Sequence, residues 1–261
     1  MTKLNPMRTL CQIPLKKLLP LLLGVLASVA VFFLWQQLTI NEELHINQLI
    51  QQEADAIQLQ LNQELTTRIQ GLQRIANRWQ ASGGTARELW EADTTAYINN
   101  FSGYQAIEWV DSNFKVRWVI PVVGNEAVQN QDLSQERRHL ITLRLARDLN
   151  QVILTANISL AQGGQGFITT IPIFVGDRFD GFIVGVFRFQ SLFDSVLRVS
   201  SGYKVAIYER DKLIYRQPGL TTESGYRKTV FIRAYGADWR VEVFPTPEFI
   251  SKTKSFLSSI V

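Results

Sequence analysis

An uninterrupted apolar run near the N-terminus constrains this chain most. Residues 18–35 contain no charged side chain. As a helix they span about 27 Å, close to the thickness of the hydrocarbon core of a bilayer. A cleaved signal peptide is the alternative, since residues 28–30 (Ser-Val-Ala) resemble a cleavage site. The apolar run continues past that site, which favours a membrane helix over residues 18–38.

The charges around this run predict its orientation. Lys16 and Lys17 precede it, whereas Glu42 and Glu43 follow it. The positive-inside rule then places the N-terminus in the cytoplasm. We therefore expect residues 1–17 to form a basic cytoplasmic tail, in an inner membrane, and the bulk of the chain to be periplasmic or extracellular.

A long helix is predicted after the membrane segment. Residues 39–81 contain no proline, and apolar side chains recur there at spacings of three and four, which places them on one face of a helix. This stripe consists of Ile50, Ala54, Ile57, Leu61, Leu65, Ile69, Leu72, Ala76 and Trp79. The stripe packs along the protein's own domain, pairs with a second copy, or does both, with the membrane-near half pairing and the far half packing. The pairing predicts a homodimer through this stalk helix.

The remaining chain alternates between helical and strand patterns. Thr85 and Glu88 form a capping box for a short helix, and Ser134 is the predicted N-cap of a helix over residues 135–149. Period-two alternation predicts strands, with one face of the second strand formed by Phe114, Val116, Trp118 and Ile120. Further strands are predicted at residues 167–175, 182–189, 204–209, 212–216, 226–235 and 239–244. Hairpin order with flanking helices indicates the α+β class.

Catalytic and metal-binding patterns are missing from the sequence. There is no nucleophile elbow, no His-Glu-x-x-His motif and no P-loop. Cys11 is the only cysteine, and His45 and His139 are far apart in the chain. We interpret His139 as part of a solvated helix face. We expect no enzymatic activity, no metal and no cofactor, and the neutral charge balance beyond residue 17 predicts no nucleic-acid partner.

One group of side chains is compatible with a small-ligand pocket. Aromatic walls with a few polar groups are typical of such pockets. The candidates are Tyr104, Trp109, Trp118, Asp132, Thr169 and Thr170. Each has another explanation, because strand tryptophans usually build core, an acid before a helix caps it, and threonine favours strands.

The chain from residue 101 to residue 199 resembles the CHASE domain, the extracellular sensor of many histidine kinases and nucleotide cyclases, including plant cytokinin receptors. The resemblance is carried by "GYQAIEWV" at residues 103–110, "DLSQERRHLITLRLARDLNQVILT" at 132–155, "GQGFITTIPIF" at 164–174 and "GFIVGVFRFQSLFDSVL" at 181–197. The segment around "EWV" looks like bacterial members and departs from the plant receptors, so we do not infer a cytokinin.

The resemblance implies a long helix followed by two PAS-like subdomains. The membrane-distal one, residues 82–199, would bind the ligand, and residues 200–248 would form the membrane-proximal one. The family pattern places ligand contacts at Asp132, Leu154, Gly166 and Thr170.

The resemblance also implies continuation beyond this chain. Residues 249–261 would begin a second membrane helix, followed by an output enzyme such as a histidine kinase or diguanylate cyclase. We therefore predict the small-ligand-sensing input region of a membrane receptor. The alternative is a membrane-tethered periplasmic interaction protein without ligand sensing.

Overall fold

One helix runs through most of the length of the molecule. Helix α1 (Leu15–Ser82) is continuous. Its N-terminal part is exposed, and by length and composition it is apolar enough to cross a membrane. The predicted membrane segment and stalk are thus parts of one helix. The computed structural model describes residues 15–160, 163–197, 202–222 and 225–258, so most of the predicted basic tail and residues 259–261 lie outside the described residues.

The apolar stripe on α1 packs against the protein itself. All nine side chains predicted for the stripe are buried, and they belong to one core cluster that also contains residues from both β-sheets. This confirms the predicted stripe and shows that it packs against the two β-sheets of the same chain. A homodimer through the stalk would have to use another face of α1.

The first sheet lies against the C-terminal part of α1. Its strand order is β2-β1-β6-β5-β3, with β4 also paired to β5, and every described pairing is antiparallel. Helix α2 packs beside α1, and α3 crosses the other face of the sheet. The elements are α2 (Arg87–Asn100), β1 (Tyr104–Asp111), β2 (Val116–Ile120), α3 (Arg137–Leu149), β3 (Ile153–Leu154), β4 (Ile158–Ser159), β5 (Gln165–Val175) and β6 (Arg178–Arg188).

The second sheet follows a short helix and is smaller. Its four strands have the antiparallel order β8-β7-β10-β9. The elements are α4 (Phe189–Val196), β7 (Tyr203–Glu209), β8 (Lys212–Arg216), β9 (Lys228–Ala234), β10 (Ala237–Pro245) and α5 (Pro247–Ser258). Two antiparallel sheets on one long helix confirm the α+β prediction.

Contacts with α1 define the order of the two sheets along the helix. Gly185 of the first sheet lies so close to Leu72 that an added Cβ would be 2.4 Å from a Leu72 methyl group. The second sheet meets α1 earlier, where the Gln58 amide donates a hydrogen bond to the Phe231 carbonyl. At about 1.5 Å per residue, Leu72 is about 50 Å along the helix from residue 38. The first sheet is therefore the one farther from the apolar segment.

The two faces of the first sheet belong to different cores. Ile107 of β1 and Phe187 of β6 face α1. Ala106, Val184 and Val186 face the opposite side, where they pack with α3. Because successive side chains of a strand point to opposite faces of the sheet, neighbouring residues of one strand enter different cores.

A β-bulge corrects the predicted face of β2. The register of β1 and β2 shifts between Trp109 and Val110, which pair with Trp118 and Val116 respectively. The extra residue on β2, Arg117, reverses the alternation at that point. Val116 therefore joins the α3-side core and Trp118 the α1-side core, rather than sharing one face as predicted.

The two predicted helix caps are wrong. Helix α2 has Ala86 at its N-cap without a side-chain hydrogen bond, and the Thr85 hydroxyl is buried without a hydrogen-bond partner. Helix α3 begins later than predicted, with Glu136 at its N-cap. A separate 3-10 turn at Leu133–Gln135 precedes it. Both helices therefore begin at residues other than those that the capping patterns indicated.

Candidate ligand-binding cavity

A cavity of about 150 Å³ lies between the first sheet and α3. Its sheet wall is formed by Glu108 of β1, Ile168 of β5 and Val186 of β6, which all face the α3 side. The opposite walls come from the loop before α3, from α3 and from the β4 region, and consist of Val128, Gln131, Leu133, Glu136, His139, Ile158, Ser159 and Leu160. Six of the eleven described lining side chains are apolar and five are polar, and such a combination occurs in sites for small molecules.

A second, much smaller space adjoins this cavity. It has a volume of about 10 Å³ and shares Leu133, His139 and Ile168 with the larger one. Its further lining residues are Thr142, Leu143, Thr155, Thr170 and Val184. The Thr155 hydroxyl is already engaged, since it accepts a hydrogen bond of 2.9 Å from the backbone N–H of Ile168.

Glu108 is the most unusual group of the cavity. It is only 4% exposed, and no described residue makes a hydrogen bond or ion pair with its carboxyl group. Burial raises its pKa from 4.5 to about 7, because the charged form loses its hydration. A buried acid without a partner is costly for folding, and such groups cluster at functional sites.

His139 faces the cavity from α3. Both ring nitrogens are buried without a hydrogen bond, although Nδ1 lies 3.3 Å from a Glu136 carboxylate oxygen. Burial lowers the pKa of His139 below 6.5, and Glu136 acts in the opposite direction. The imidazole is therefore neutral at pH 7 and offers one donor and one acceptor. This corrects the interpretation of His139 as part of a solvated helix face.

Among the eight predicted site residues, Thr170 lines the smaller space. Leu154 lies in the α1-side core, where it packs near the second sheet. Gly166 allows close packing, because an added Cβ would lie 2.0 Å from the carbonyl oxygen of Phe187. Neither residue lines the two cavities.

Asp132 stabilises the turn before α3. Its carboxylate accepts hydrogen bonds from the backbone N–H and the hydroxyl of Ser134, at 3.0 and 2.6 Å. These bonds lower the pKa of Asp132 below its ordinary value. Asp132 does not line either cavity, but the turn it stabilises carries Leu133 into both of them.

The three predicted aromatic residues lie on the other face of the sheet, so they do not line this cavity. Trp109 and Trp118 stack on Trp79 of α1, with ring centroids 4.7 and 5.6 Å away. Tyr104 packs on Phe187 at 4.5 Å because a register shift in β1 turns it towards α1. These aromatics build the core between sheet and helix.

The sequence analysis missed Glu108 and His139. A signal for Glu108 was present, because it lies between Ile107 and Trp109 in a strand of strong alternation. A charged residue on the face opposite two large apolar side chains predicts either solvent or a polar site. Within the described part of the chain, no group of three His, Cys, Asp or Glu side chains is placed to hold a metal ion.

Comparisons with known proteins agree with this architecture. The CHASE domain family model matches residues 52–215, more than half of the chain. An extracellular ligand binding receptor from Desulfohalobium retbaense DSM5692 aligns with a TM-score of 0.58 at 16% identity, over 73% of this chain and 39% of that chain. No curated protein matches the sequence.

Two chemoreceptor domains share the fold. The ligand-binding domain of the Pseudomonas aeruginosa PAO1 amino acid chemoreceptor PctB, in complex with L-Arg, has a TM-score of 0.58 at 11% identity, over 83% of this chain and 94% of that chain. The ligand-binding domain of the Pseudomonas fluorescens chemoreceptor CtaA, in complex with L-alanine, has a TM-score of 0.55 at 10% identity, over 77% of this chain and 98% of that chain. Identities this low establish the fold alone.

The family match extends the predicted resemblance at both ends. It begins within α1 and ends at β8, so it includes the long helix and part of the second sheet. The CHASE domain is an extracellular sensor domain without a catalytic role, which confirms the prediction of a sensing region. One apolar N-terminal helix is consistent with a membrane location. On the extent of this match, the chain belongs to the CHASE domain family.

Proposed function

We propose that this chain senses a small molecule through the cavity between the first sheet and α3. The observation that carries the proposal is the buried carboxyl group of Glu108, which has no described partner and faces a cavity of about 150 Å³. Ligand contacts that satisfy such a group offset its cost of burial. The small ligands named for the related chemoreceptor structures support the same type of partner.

A cavity-filling variant tests this proposal. Val186→Phe places a ring into the empty space beside the sheet, and Val123→Phe is the matched control because Val123 is 83% exposed. The full chain in lipid nanodiscs would be screened against small metabolites by thermal unfolding. Ligands should raise the melting temperature of the wild type and of Val123→Phe, but not of Val186→Phe. A ligand-induced rise that persists in Val186→Phe contradicts the assigned site.

The signal would pass through the core on the other face of the sheet. β1, β5 and β6 form the wall of the cavity, and on their other face β5 and β6 contact α1 while Trp109 of β1 stacks on Trp79 of α1. A ligand that shifts these strands would bias two arrangements of α1 relative to the sheets.

Helix α5 is the proposed route by which the signal leaves the sensing region. It begins beside the second sheet, where Phe249 packs on Tyr203 at 4.7 Å between ring centroids, and it also contacts α1. Residues 249–261 would begin a second membrane helix that leads to an output enzyme such as a histidine kinase or diguanylate cyclase. An in-frame membrane helix and enzyme domain downstream of residue 261 would support this; a stop codon there in the native gene would oppose it.

We also propose a periplasmic location and a homodimer. Cytoplasmic lysines before an apolar helix support the inner membrane of a bacterium. Because the buried stripe of α1 is occupied within the chain, Leu44 and Leu59, 57% and 60% exposed, are better candidates for contact with a second copy. Disulfide formation by Leu59→Cys in membranes, compared with Val123→Cys at a position that is 83% exposed and lies outside α1, tests the dimer; equal cross-linking of both variants would oppose it.

A further inference from the structure

The polar groups of the cavity have an uneven charge distribution. Glu108 and Glu136 are acids, and Gln131, His139 and Ser159 are neutral polar groups. Among the described residues that line the cavity, none is lysine or arginine. Hydrogen-bond acceptors and negative charge therefore dominate, which favours a ligand that donates hydrogen bonds and carries positive charge.

The two acids occupy different depths. The Glu108 side chain is buried in the middle of β1, where it pairs with Val184 of β6 and Val119 of β2. The Glu136 side chain is 55% exposed and contacts His139. Glu108 therefore lies at the base of the cavity and Glu136 at its entrance. A cation at the base would meet a carboxylate that has lost its water, so the attraction there is less screened than at the surface.

The apolar part of the wall limits the size of the ligand. Val128, Leu133, Ile158, Leu160, Ile168 and Val186 supply it. A cavity of about 150 Å³ with apolar walls accommodates a molecule of about the size of benzene. The charged group of such a ligand would lie on Glu108, and its short hydrocarbon part would lie against the aliphatic side chains.

A zwitterionic amino acid fits this wall less well than a simple amine. Its carboxylate would lie in a small cavity whose described lining offers two acids and no permanent cation. Burial of an unpaired carboxylate costs several kcal/mol. The related chemoreceptor domains were solved with amino acids, but the charges of this cavity differ from what an amino acid requires.

We propose that this cavity binds a small organic cation of about benzene size, a primary ammonium or amidinium group on a short hydrocarbon body, with Glu108 as its counter-ion. This inference rests on the proposed sensing function of the same cavity. Amines that carry an additional carboxylate are selected against by the acids of the wall.

Matched probes test the ligand class. Isobutylamine and benzylamine would be compared with valine and phenylglycine, their α-carboxylated counterparts, and with isobutanol, which lacks the charge. Binding would be measured by titration calorimetry on the full chain in nanodiscs. Isobutylamine or benzylamine should bind at least about tenfold more tightly than its carboxylated counterpart, because a single unpaired charge is worth more than about 1.4 kcal/mol.

The variant Glu108→Gln keeps the shape of the side chain and removes its charge. It should weaken amine binding by about tenfold to a hundredfold, because the binding free energy loses the contribution of a hydrogen bond to a charged group. Glu242→Gln is the control, because Glu242 is an equally buried acid that pairs with Arg240 and Arg227 in the second sheet. This control should leave amine binding unchanged.

The outcomes separate the two proposals. Tight amine binding that depends on Glu108 supports the inference. Valine binding as tightly as isobutylamine, or equal amine binding by Glu108→Gln, overturns it. A screening ligand that is not an amine, and whose effect is lost in Val186→Phe, overturns the amine inference while the sensing function stands. Absence of any cavity-dependent ligand overturns both.

Discussion

The variant Glu108→Gln is expected to stabilise the ligand-free protein at alkaline pH. The wild-type carboxyl group is buried and has a pKa of about 7, compared with 4.5 for its ordinary value. Between these values the folded protein retains a proton that the unfolded chain has released. Stability therefore falls as the pH rises from about 4.5 to about 7, and it stays lowered above that window.

The size of this stability difference follows from the rise in the pKa of Glu108. An increase from 4.5 to about 7, at about 1.4 kcal/mol for each pKa unit, corresponds to about 3 kcal/mol. Water in the cavity would solvate the carboxylate, so this value is an upper bound. Glutamine cannot ionise, so Glu108→Gln should be more stable than the wild type by up to about 3 kcal/mol at pH 8.5. Near pH 4 the two proteins should be equally stable.

Unfolding by urea measures this difference. Emission of Trp79, Trp109 and Trp118, which stack on the other face of the same sheet, reports on the relevant subdomain. His139 titrates in the opposite sense, since burial lowers its pKa and stability is lost as the pH falls below 6.5. It is present in both proteins, so only the difference between wild type and Glu108→Gln should be compared.

The control variant Glu242→Gln is expected to change the stability at pH 8.5 in the opposite direction. Glu242→Gln removes the buried partner of an ion pair with the partly exposed Arg240, so it should destabilise the protein at pH 8.5. If Glu108→Gln is also less stable than the wild type at pH 8.5, or differs from it equally at pH 4 and 8.5, Glu108 is not an unpaired buried acid. The ligand inference would then lose its physical basis.

Two further predictions concern packing within the first sheet and between that sheet and α1. Gly166→Ala should lower stability by about 1–3 kcal/mol, measured by urea unfolding, because the new methyl group would overlap the carbonyl oxygen of Phe187; unchanged stability would contradict the close approach. Asp180→Ala should cost about 1–3 kcal/mol and shift tryptophan emission, because the indole N–H of Trp79 loses its acceptor at 2.8 Å. Asp177→Ala, in the adjacent turn, should change neither; an equal effect of both variants would show that the indole contact is not the cause.

Local patterns in the sequence predicted the elements well. The apolar stripe of α1 has the period of a helix, and every member is buried. The period-two pattern around Ile107 and Trp109 predicted β1 and the common face of these two residues, which both pack towards α1. Such patterns depend on backbone geometry within a few residues, so they can be read without a tertiary structure.

The caps and the face of β2 could not be predicted in this way. A capping box requires a particular chain path before the helix, and the path at Thr85 instead places Ala86 at the N-cap. The bulge opposite Trp109 and Val110 has no distinctive residue in β2. One extra residue there moves every following side chain to the other face of the sheet.

The sequence by itself determined the long amphipathic helix, an apolar segment long enough to cross a membrane, the α+β class and the family. Only the tertiary structure decided which face of the first sheet meets α1 and which meets α3. The alternation along β1 predicts that Trp109 and Glu108 point to opposite faces of the sheet. Because both faces of this sheet are covered, the alternation does not predict on which face the cavity lies. Packing of the aromatic face on α1 placed the tryptophans in the core and left Glu108, with His139 across from it, in the cavity.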